Sequence, residues 1–204
     1  MVVVGITGGI ASGKTFVAGH LQCLGAVILD ADQMGHAVLQ MPEVEQALRD
    51  RWGEAVFDTG GHVDRAAVAR HVFAPAPDGP PELAFLEQLT HPHIREKMVQ
   101  ELRALATRSD VEMVILDAPI LFKAGWDRFC DVILFVDASV ETRAARASER
   151  GWSVEELERR EAAQFSLQIK RERADVVIDN SGTIEETERQ VARFWRSRTD
   201  FGKK

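Results

Sequence analysis

A glycine-rich segment, TGGIASGKT, occupies residues 7–15 and follows the short apolar run MVVVGI. It matches the pattern G-x-x-x-x-G-K-[S/T], in which Gly8 and Gly13 are the two glycines and Lys14 and Thr15 follow directly. Such a loop binds an anion when it connects a strand to a helix, because its backbone N–H groups and the positive end of the helix then point at the same space. The segment therefore predicts a strand–loop–helix unit that binds phosphate.

The remaining apolar runs predict the fold around this loop. Five runs are continuous and rich in β-branched residues, and the segments between them have helical periodicity. Continuous runs are typical of parallel strands that are covered by helices on both faces. The runs lie at 2–7, 26–31, 112–118, 131–138 and 175–179. The predicted fold class is therefore α/β, with an open, parallel, five-stranded sheet flanked by helices.

Two long insertions interrupt the alternation of strands and helices. The first, about 33–108, contains the proline-rich stretch 74–81, which predicts an irregular loop. The second, about 139–173, is highly charged and helical in pattern, and it fits either a solvated helical hairpin or a lid that carries arginines over a phosphate site. The sheet core is expected at 1–32, 109–138 and 174–204. The length of 204 residues fits a single domain with such insertions.

Composition limits the partners and the compartment. The formal net charge of −7 does not favour nucleic acid. No apolar run approaches the roughly 20 residues of a membrane span, and no basic region precedes the first run, so neither a membrane partner nor a signal peptide is expected. Cys23 and Cys130 lack metal-ligand spacing, which favours two reduced thiols in a cytoplasmic protein. No heptad or interface stripe is evident, so a monomer is expected.

Acidic residues follow two of the predicted strands. LDAD (29–32) ends the second strand, and Asp30 and Asp32 would point the same way if that strand continued. A carboxylate near a transferring phosphoryl group accepts the proton of an attacking hydroxyl. Asp32 could equally cap the following helix, and the residues alone leave both roles open.

A second acidic strand end raises the question of a metal ion. Asp117 ends the run VILD, where it could help to hold Mg²⁺ directly or through water, together with the Thr15 hydroxyl. A turn role ahead of Pro119 is the more common one for such a residue. Lys14 is expected to approach the β- and γ-phosphates of a bound nucleotide.

Two further segments carry basic side chains. Arg146 and Arg150 are four residues apart and would share a helix face, where they could clamp a triphosphate or, more commonly, pair with surface glutamates. THPHI (90–94) predicts a helix that begins at Pro92, with His91 just before it. A histidine in that position is usually a cap or a packed side chain.

Taken together, these segments resemble the dephospho-coenzyme A kinase family nearly from end to end. The phosphate loop alone is shared by a very large superfamily, but the other segments, in this order, are much more specific. The matching segments are GITGGIASGKT, LDAD, THPHI, APILF, RASERGWS, REAAQ and ADVVIDNSG.

The resemblance implies a P-loop kinase that transfers the γ-phosphoryl group of ATP, with Mg²⁺, to the ribose 3′-hydroxyl of dephospho-coenzyme A. It implies that the first insertion is a substrate lobe and the second a lid. Asp32 would be the general base, and Lys14, Arg146 and Arg150 would assist the transfer. Arg65 and His91, with Asp32, match substrate-lobe positions. The residues expected to bind ATP are Gly8, Gly9, Ala11, Ser12, Gly13, Lys14, Thr15, Phe16 and Asn180, the last in a loop that borders the adenine.

The sequence departs from the family pattern at three positions. Lys123 stands in APILFKAG where the family usually has a glutamate. Ala11 replaces a glycine of the loop, and Phe16 replaces a small polar residue and is expected to turn into the core between helix and sheet. Two other functions compete with this reading: another P-loop kinase acting on a nucleoside monophosphate or a small alcohol, or a nucleotide-dependent switch.

Overall fold

Five parallel strands form one sheet in the order β2-β3-β1-β4-β5. The computed structural model describes residues 1–153, 155–157 and 165–201. The strands are β1 (Val2–Gly8), β2 (Val27–Asp30), β3 (Met113–Asp117), β4 (Val132–Asp137) and β5 (Val176–Asp179). The predicted open, parallel, five-stranded sheet is confirmed, and each predicted run agrees with its strand to within one residue at either end.

The first strand is central, and this position places the glycine-rich loop. β1 pairs with β3 through Ile6 opposite Asp117 and with β4 through Gly8 opposite Val136. Because all strands are parallel, their carboxyl ends lie at one edge of the sheet, which is where such folds bind ligands. The loop after Gly8 therefore starts in the middle of that edge.

Helices follow the strands and fill the insertions. α1 directly follows the glycine-rich loop, and α8 begins with a capping box formed by Thr183 and Glu186. The helices are α1 (Lys14–Cys23), α2 (Ala31–Val38), α3 (Pro42–Trp52), α4 (Arg65–Val72), α5 (Gly79–Ala106), α6 (Val140–Glu149), α7 (Leu167–Glu172), α8 (Ile184–Arg196) and α9 (Arg198–Phe201). Among the described residues, none of these helices has both the length and the apolar character to cross a bilayer.

The chain divides into two compact units. The first comprises Met1–Asp30 and Leu102–Lys204 and contains the whole sheet, and the second comprises Ala31–Glu101. The core of the first unit joins the central strands to one face of α1 and one face of α8. Its buried members include Val4, Ile6, Val17, Leu21, Ile115, Leu134, Val191 and Phe194.

The long helix α5 differs from the prediction for this segment. It begins at Gly79, inside the stretch expected to be irregular, and Pro92 lies within it instead of at its start. Thr90, Ile94 and Met98 are buried at four-residue spacing through the proline, while Pro92 itself is exposed. The free energy gained by burying one continuous face of α5 therefore exceeds the cost of the backbone hydrogen bond that Pro92 cannot donate on the exposed face.

The two cysteines are free thiols in different surroundings. Cys23 is exposed, whereas burial raises the pKa of the Cys130 thiol from its ordinary value near 9 to about 12. The thiolate is the reactive form of a cysteine, and at pH 8 its fraction at Cys130 is roughly a thousandfold lower than in a thiol with the ordinary pKa.

We expect a maleimide to label the native protein at Cys23 and to reach Cys130 only after unfolding, as peptide mass spectrometry would show. Rapid labelling of Cys130 in native Cys23→Ser protein would contradict this.

Candidate active site

The glycine-rich loop runs from the end of β1 at Gly8 to the start of α1 at Lys14. Within it, the Ser12 N–H donates to the Gly9 carbonyl over 3.1 Å, which closes a tight turn. Gly13 caps α1 with a left-handed backbone at φ 89°. The first N–H groups of α1, which have no partners within the helix, therefore face the space that the loop encloses.

Close contacts require both glycines of the motif, and a left-handed backbone is a second requirement at Gly13. A Cβ at Gly8 would lie 2.6 Å from the Val136 carbonyl oxygen, and a Cβ at Gly13 would overlap Asn180 Nδ2. Any larger residue at either position would force the neighbouring strand or loop to move. The close packing of β4 and the loop after β5 against the glycine-rich loop thus explains why both positions are glycine.

Gly13→Ala should weaken ATP binding more than it weakens the fold. The left-handed backbone alone costs about 1 kcal/mol for alanine, and the added overlap displaces the Asn180 amide. Gly125→Ala is the matched control, because Gly125 has φ 66° and a Cβ there would meet nothing within 4 Å. Calorimetric titration with ATP should show at least tenfold weaker binding for Gly13→Ala and unchanged binding for Gly125→Ala. Equal loss of unfolding free energy with equal ATP affinity in both variants would contradict the contact argument.

Lys14 and Asp117 form an ion pair at the carboxyl edge of the sheet. Both side chains are mostly buried, with exposed fractions of 23% and 18%. Asp117 is the last residue of β3 and lies in register with Asp30 of β2. The start of α1 and the end of β3 therefore direct a cation and a carboxylate into the same space, where a bound phosphate would compete with Asp117 for the ammonium group.

Arg146 contacts the loop from α6. Its guanidinium donates to the Ser12 carbonyl over 3.1 Å and to the Asn180 carbonyl over 3.0 Å. The side chain thus binds backbone oxygens at the site, unlike a surface arginine that pairs with a glutamate. This arrangement brings one of the two predicted arginines to the glycine-rich loop.

The second predicted arginine is placed differently. Arg150 follows the last residue of α6 as its C-cap, and its side chain is exposed. α6 ends at Glu149, and Gly151 follows with a left-handed φ of 77°, so Arg150 lies at the very end of the helix and its sharing of a face with Arg146 stays a prediction.

Asn180 braces the loop from the other side. Its Nδ2 donates to the Ser12 carbonyl over 2.7 Å, and its Oδ1 accepts a hydrogen bond from the Thr187 hydroxyl over 2.9 Å. Both Asn180 and Thr187 are buried. Since each end of the amide has a fixed partner, the loop after β5 is held in one position against the glycine-rich loop.

Two buried cations at the site are absent from the sequence-based prediction. Lys170 of α7 is 3% exposed and its Nζ donates to the Gly8 carbonyl over 3.2 Å. Arg143 of α6 is 5% exposed, and its Nε donates to the Ala138 carbonyl over 3.2 Å. The three-residue spacing from Arg143 to Arg146 is a signal that could have identified Arg143. Nothing in the mixed charges around Lys170 distinguishes it.

The residues after the loop lysine lie on the outer side of α1. Thr15 and Phe16 are both exposed, and the Phe16 ring lies 5.8 Å from the His20 ring, measured between centroids. The expectation that Phe16 turns into the core is wrong. The buried face of α1 is formed by Val17, Ala18 and Leu21, and position 16 lies outside that face.

Ala11 adopts a backbone conformation that favours glycine, with φ 59°. Its methyl group is buried in a small apolar cluster with Ala147 and Leu157, against which Ile10 and Trp152 also pack. The alanine therefore packs the glycine-rich loop against α6 and the segment after it.

Part of the predicted lid lies outside the described residues, namely 154 and 158–164. The matching segment REAAQ (160–164) falls within that part.

Three predicted residues lie in the second unit, on separate helices. Asp32 is exposed in the first turn of α2, Arg65 is the exposed first residue of α4, and His91 is half-buried within α5. The expectation that Asp30 and Asp32 share a side of one strand is wrong, because β2 ends at Asp30 and helix begins at Ala31. A helix that starts this early places the two carboxylates in different backbone environments.

In the described part of the chain, few side-chain oxygens are placed to bind a magnesium ion. Across the described ranges, no group of three or more histidine, cysteine, aspartate or glutamate residues could hold a metal ion. Mg²⁺ commonly binds through one or two protein oxygens, with phosphate oxygens and water completing its octahedron. The Thr15 hydroxyl, at the start of α1, and the Asp117 carboxylate, at the end of β3, fit that kind of site.

Known structures share this architecture over nearly the whole chain. A crystal structure of a Thermus thermophilus protein matches with a TM-score of 0.79 and 36% identity, covering 96% of this chain and 97% of that one. The dephospho-CoA kinase from Campylobacter jejuni matches with a TM-score of 0.71 over 97% of both chains. Because its identity is 19%, that likeness shows the fold alone.

The five-stranded parallel sheet and the phosphate loop after its central strand define a P-loop kinase fold. A family profile described as dephospho-CoA kinase matches residues 2–186. A dephospho-CoA kinase of Geobacter metallireducens is 42% identical over 202 residues, which cover 98% of each chain. The chain belongs to the dephospho-CoA kinase family.

Proposed function

We propose that this protein transfers the γ-phosphoryl group of ATP to the ribose 3′-hydroxyl of dephospho-coenzyme A, which gives coenzyme A. The family match over residues 2–186 identifies the acceptor. The phosphate loop with Lys14 and Arg146 supports the transfer itself, because these groups meet where a triphosphate would bind. This meeting of loop and cations is the observation that carries the proposal.

Charge neutralisation is the main task of the loop residues. Phosphoryl transfer requires little covalent chemistry from a protein, and catalysis comes from positioning and electrostatic stabilisation. Lys14 would exchange its ion pair with Asp117 for the β- and γ-phosphates. The Ser12 hydroxyl is buried without a hydrogen-bond partner in the described part of the chain, so it can also serve a bound phosphate.

A magnesium ion would be held by Thr15, and by Asp117 directly or through water. When bound, it neutralises charge on the β- and γ-phosphates. Release of Asp117 from Lys14 on nucleotide binding would free a carboxylate oxygen for this role. Thr15 is exposed at the first turn of α1, so its hydroxyl is accessible.

Asp32 is the proposed general base, which accepts the proton of the 3′-hydroxyl. Its carboxylate is exposed and so is accessible to a substrate. Arg65 and His91 are proposed acceptor contacts, and Arg150 a further cation for the phosphates. Asn180 is proposed to border the adenine of ATP, since its loop is fixed against Ser12 and Gly13.

We also propose that the enzyme acts as a monomer in the cytoplasm. The two free thiols fit a reducing compartment. Size-exclusion chromatography with light scattering tests the monomer directly, and a stable dimer at micromolar concentration would contradict it.

A coupled assay tests the function as a whole. Purified protein is supplied with ATP, Mg²⁺ and dephospho-coenzyme A, and ADP release is followed together with the phosphorylated product by mass spectrometry. We expect product formation with dephospho-coenzyme A and none with AMP or shikimate. Phosphorylation of AMP or shikimate instead would assign another kinase activity, and ADP release without any phosphorylated acceptor would favour a nucleotide switch.

A further inference from the structure

The shape of the phosphate loop depends on contacts from outside it, because glycine has little preference for any one backbone conformation. The Ser12 N–H donates to the Gly9 carbonyl and closes a tight turn. The far end of this turn is held by two donors, since the Ser12 carbonyl accepts hydrogen bonds from Arg146 and Asn180. A turn of fixed shape also needs a fixed near end, which is formed by Gly8 and Gly9.

Lys170 holds the near end of the turn from α7. Its side chain is 3% exposed, and its Nζ donates to the Gly8 carbonyl over 3.2 Å. Ordering a lysine side chain costs up to about 2 kcal/mol of conformational entropy, and lysine is seldom buried to this extent. The lysine is therefore a specific contact to the main chain of the loop and not a solvated surface charge.

The next residue of the loop, Gly9, lies directly against two other side chains. A Cβ built at Gly9 would be 3.2 Å from Leu167 Cδ2 and 3.2 Å from Arg143 Cδ. Leu167 belongs to α7, like Lys170, whereas Arg143 belongs to α6 and is 5% exposed. The near end of the turn thus packs against both helices.

The helix that carries Lys170 is itself held in place. At its start, the Ser166 hydroxyl accepts a hydrogen bond from the Ile169 N–H over 3.2 Å. Shortly after its end, the Asp175 N–H donates to the Ile133 carbonyl of β4 over 2.9 Å. The Asp175 carboxylate in turn accepts a hydrogen bond from the Ile133 N–H over 2.8 Å. The sheet therefore fixes the segment from which Lys170 reaches the loop.

The contact with the Gly8 carbonyl fixes more than one atom. This carbonyl and the Gly9 N–H belong to one planar trans peptide, in which the two groups point in opposite directions. A donor that holds the carbonyl therefore also sets the direction of the Gly9 N–H and the start of the turn. A misplacement of about 1 Å in groups that position a substrate can lower a reaction rate about 10²-fold.

We infer that Lys170 is a positioning residue for phosphoryl transfer, which holds the Gly8–Gly9 peptide at the near end of the turn. Arg146 and Asn180 hold the far end, so both ends are fixed before a nucleotide binds. Lys170 acts through the loop backbone and needs no contact with either substrate. The effect on turnover rests on the proposed function, whereas the contact can be tested without it.

Turnover of dephospho-coenzyme A by variants of the full chain tests the role. Lys170→Met fills the same space without a donor and should lower kcat roughly 10- to 100-fold. Lys170→Arg keeps a charged donor and should restore kcat to within about threefold of the wild type. Rates are measured well below the unfolding midpoint of each variant, so a loss of stability alone would leave kcat unchanged.

Arg171→Met is the matched control. Arg171 is the next residue of α7, and its exposed side chain pairs with Asp137 instead of the loop. Since such a pair contributes little to stability, kcat should stay within about twofold of the wild type.

Carbonyl resonances test the contact itself. Protein labelled with ¹³C at the glycine carbonyl and with ¹⁵N in glycine gives an HNCO signal only where glycines are adjacent, at Gly8–Gly9 and Gly60–Gly61. Lys170→Met should shift the Gly8–Gly9 signal, because this carbonyl loses a donor, and should leave the Gly60–Gly61 signal of the second unit unchanged. Arg171→Met should leave both signals unchanged.

An unshifted Gly8–Gly9 signal in Lys170→Met would overturn the contact. A native kcat in that variant would overturn the positioning role even if the signal shifts, and so would an equal loss of kcat in Lys170→Arg. A wild type that does not phosphorylate dephospho-coenzyme A would overturn the proposed function and, with it, the role in turnover, whereas the Gly8–Gly9 signal would still decide the contact.

Discussion

Asp32→Asn should lower kcat for dephospho-coenzyme A by roughly 10²–10⁴-fold, the usual contribution of a general base. The amide keeps the size of the side chain but cannot accept the proton of the 3′-hydroxyl. Since Asp32 is exposed in the first turn of α2, the change should leave the fold intact, and the weaker interaction with the helix dipole should cost about 0.3–1 kcal/mol. Initial rates at saturating ATP and acceptor measure the effect.

Asp50→Asn provides the control for this variant. Asp50 is also an exposed aspartate on a helix of the second unit, and it accepts a hydrogen bond from Gln46 over 2.8 Å. Its substitution should leave kcat unchanged. Near-native turnover of Asp32→Asn protein that still binds ATP would remove Asp32 from the mechanism and favour a structural role at the start of α2.

Lys14→Met should lower kcat by roughly 10²–10³-fold, the loss expected when one group that stabilises transition-state charge is removed. ATP affinity should fall as well, since the ammonium also binds the ground-state phosphates. The change leaves Asp117 without its ion-pair partner, and because that carboxylate is only 18% exposed, a modest loss of stability should accompany it. Turnover, ATP titration and thermal unfolding separate the three effects.

Two comparisons sharpen the test of Lys14. Lys97→Met removes an ammonium group from the exposed side of α5 and should change neither turnover nor ATP affinity. The double variant Lys14→Met/Asp117→Asn should recover the stability lost in Lys14→Met without recovering turnover. Recovery of turnover in the double variant would mean that the ion pair, and not phosphate binding, is the task of Lys14.

The sheet and the phosphate loop were predictable because their signals are local. Continuous β-branched runs predict buried parallel strands, and Gly8 and Gly13 mark positions where the backbone has no room for a side chain. Neither the apolar runs nor the glycine positions predicted the order of the strands, because strand pairing depends on contacts across the whole sheet. Pro92 misled the prediction because its local preference for a helix start is weaker than the buried face of α5.

The candidate site was predictable only in part. Arg146 was identified through the family pattern, but its actual partners are carbonyl oxygens far away in the sequence. Lys170 was missed for the same reason, since it lies 162 residues from the Gly8 carbonyl that it contacts. Phe16 was misplaced because its apolar character suggested burial, whereas its angular position on α1 decides that it is exposed.

Ala11 in the phosphate loop couples phosphate binding to the packing of α6 against the loop. Its left-handed backbone costs about 1 kcal/mol relative to glycine, and the packing of its methyl group on Ala147 and Leu157 offsets that cost. The loop adopts its phosphate-binding shape at lower free energy when α6 is packed against it. By thermodynamic linkage, a bound phosphate that stabilises this loop shape also stabilises the packing of α6, and the two effects must be equal in size.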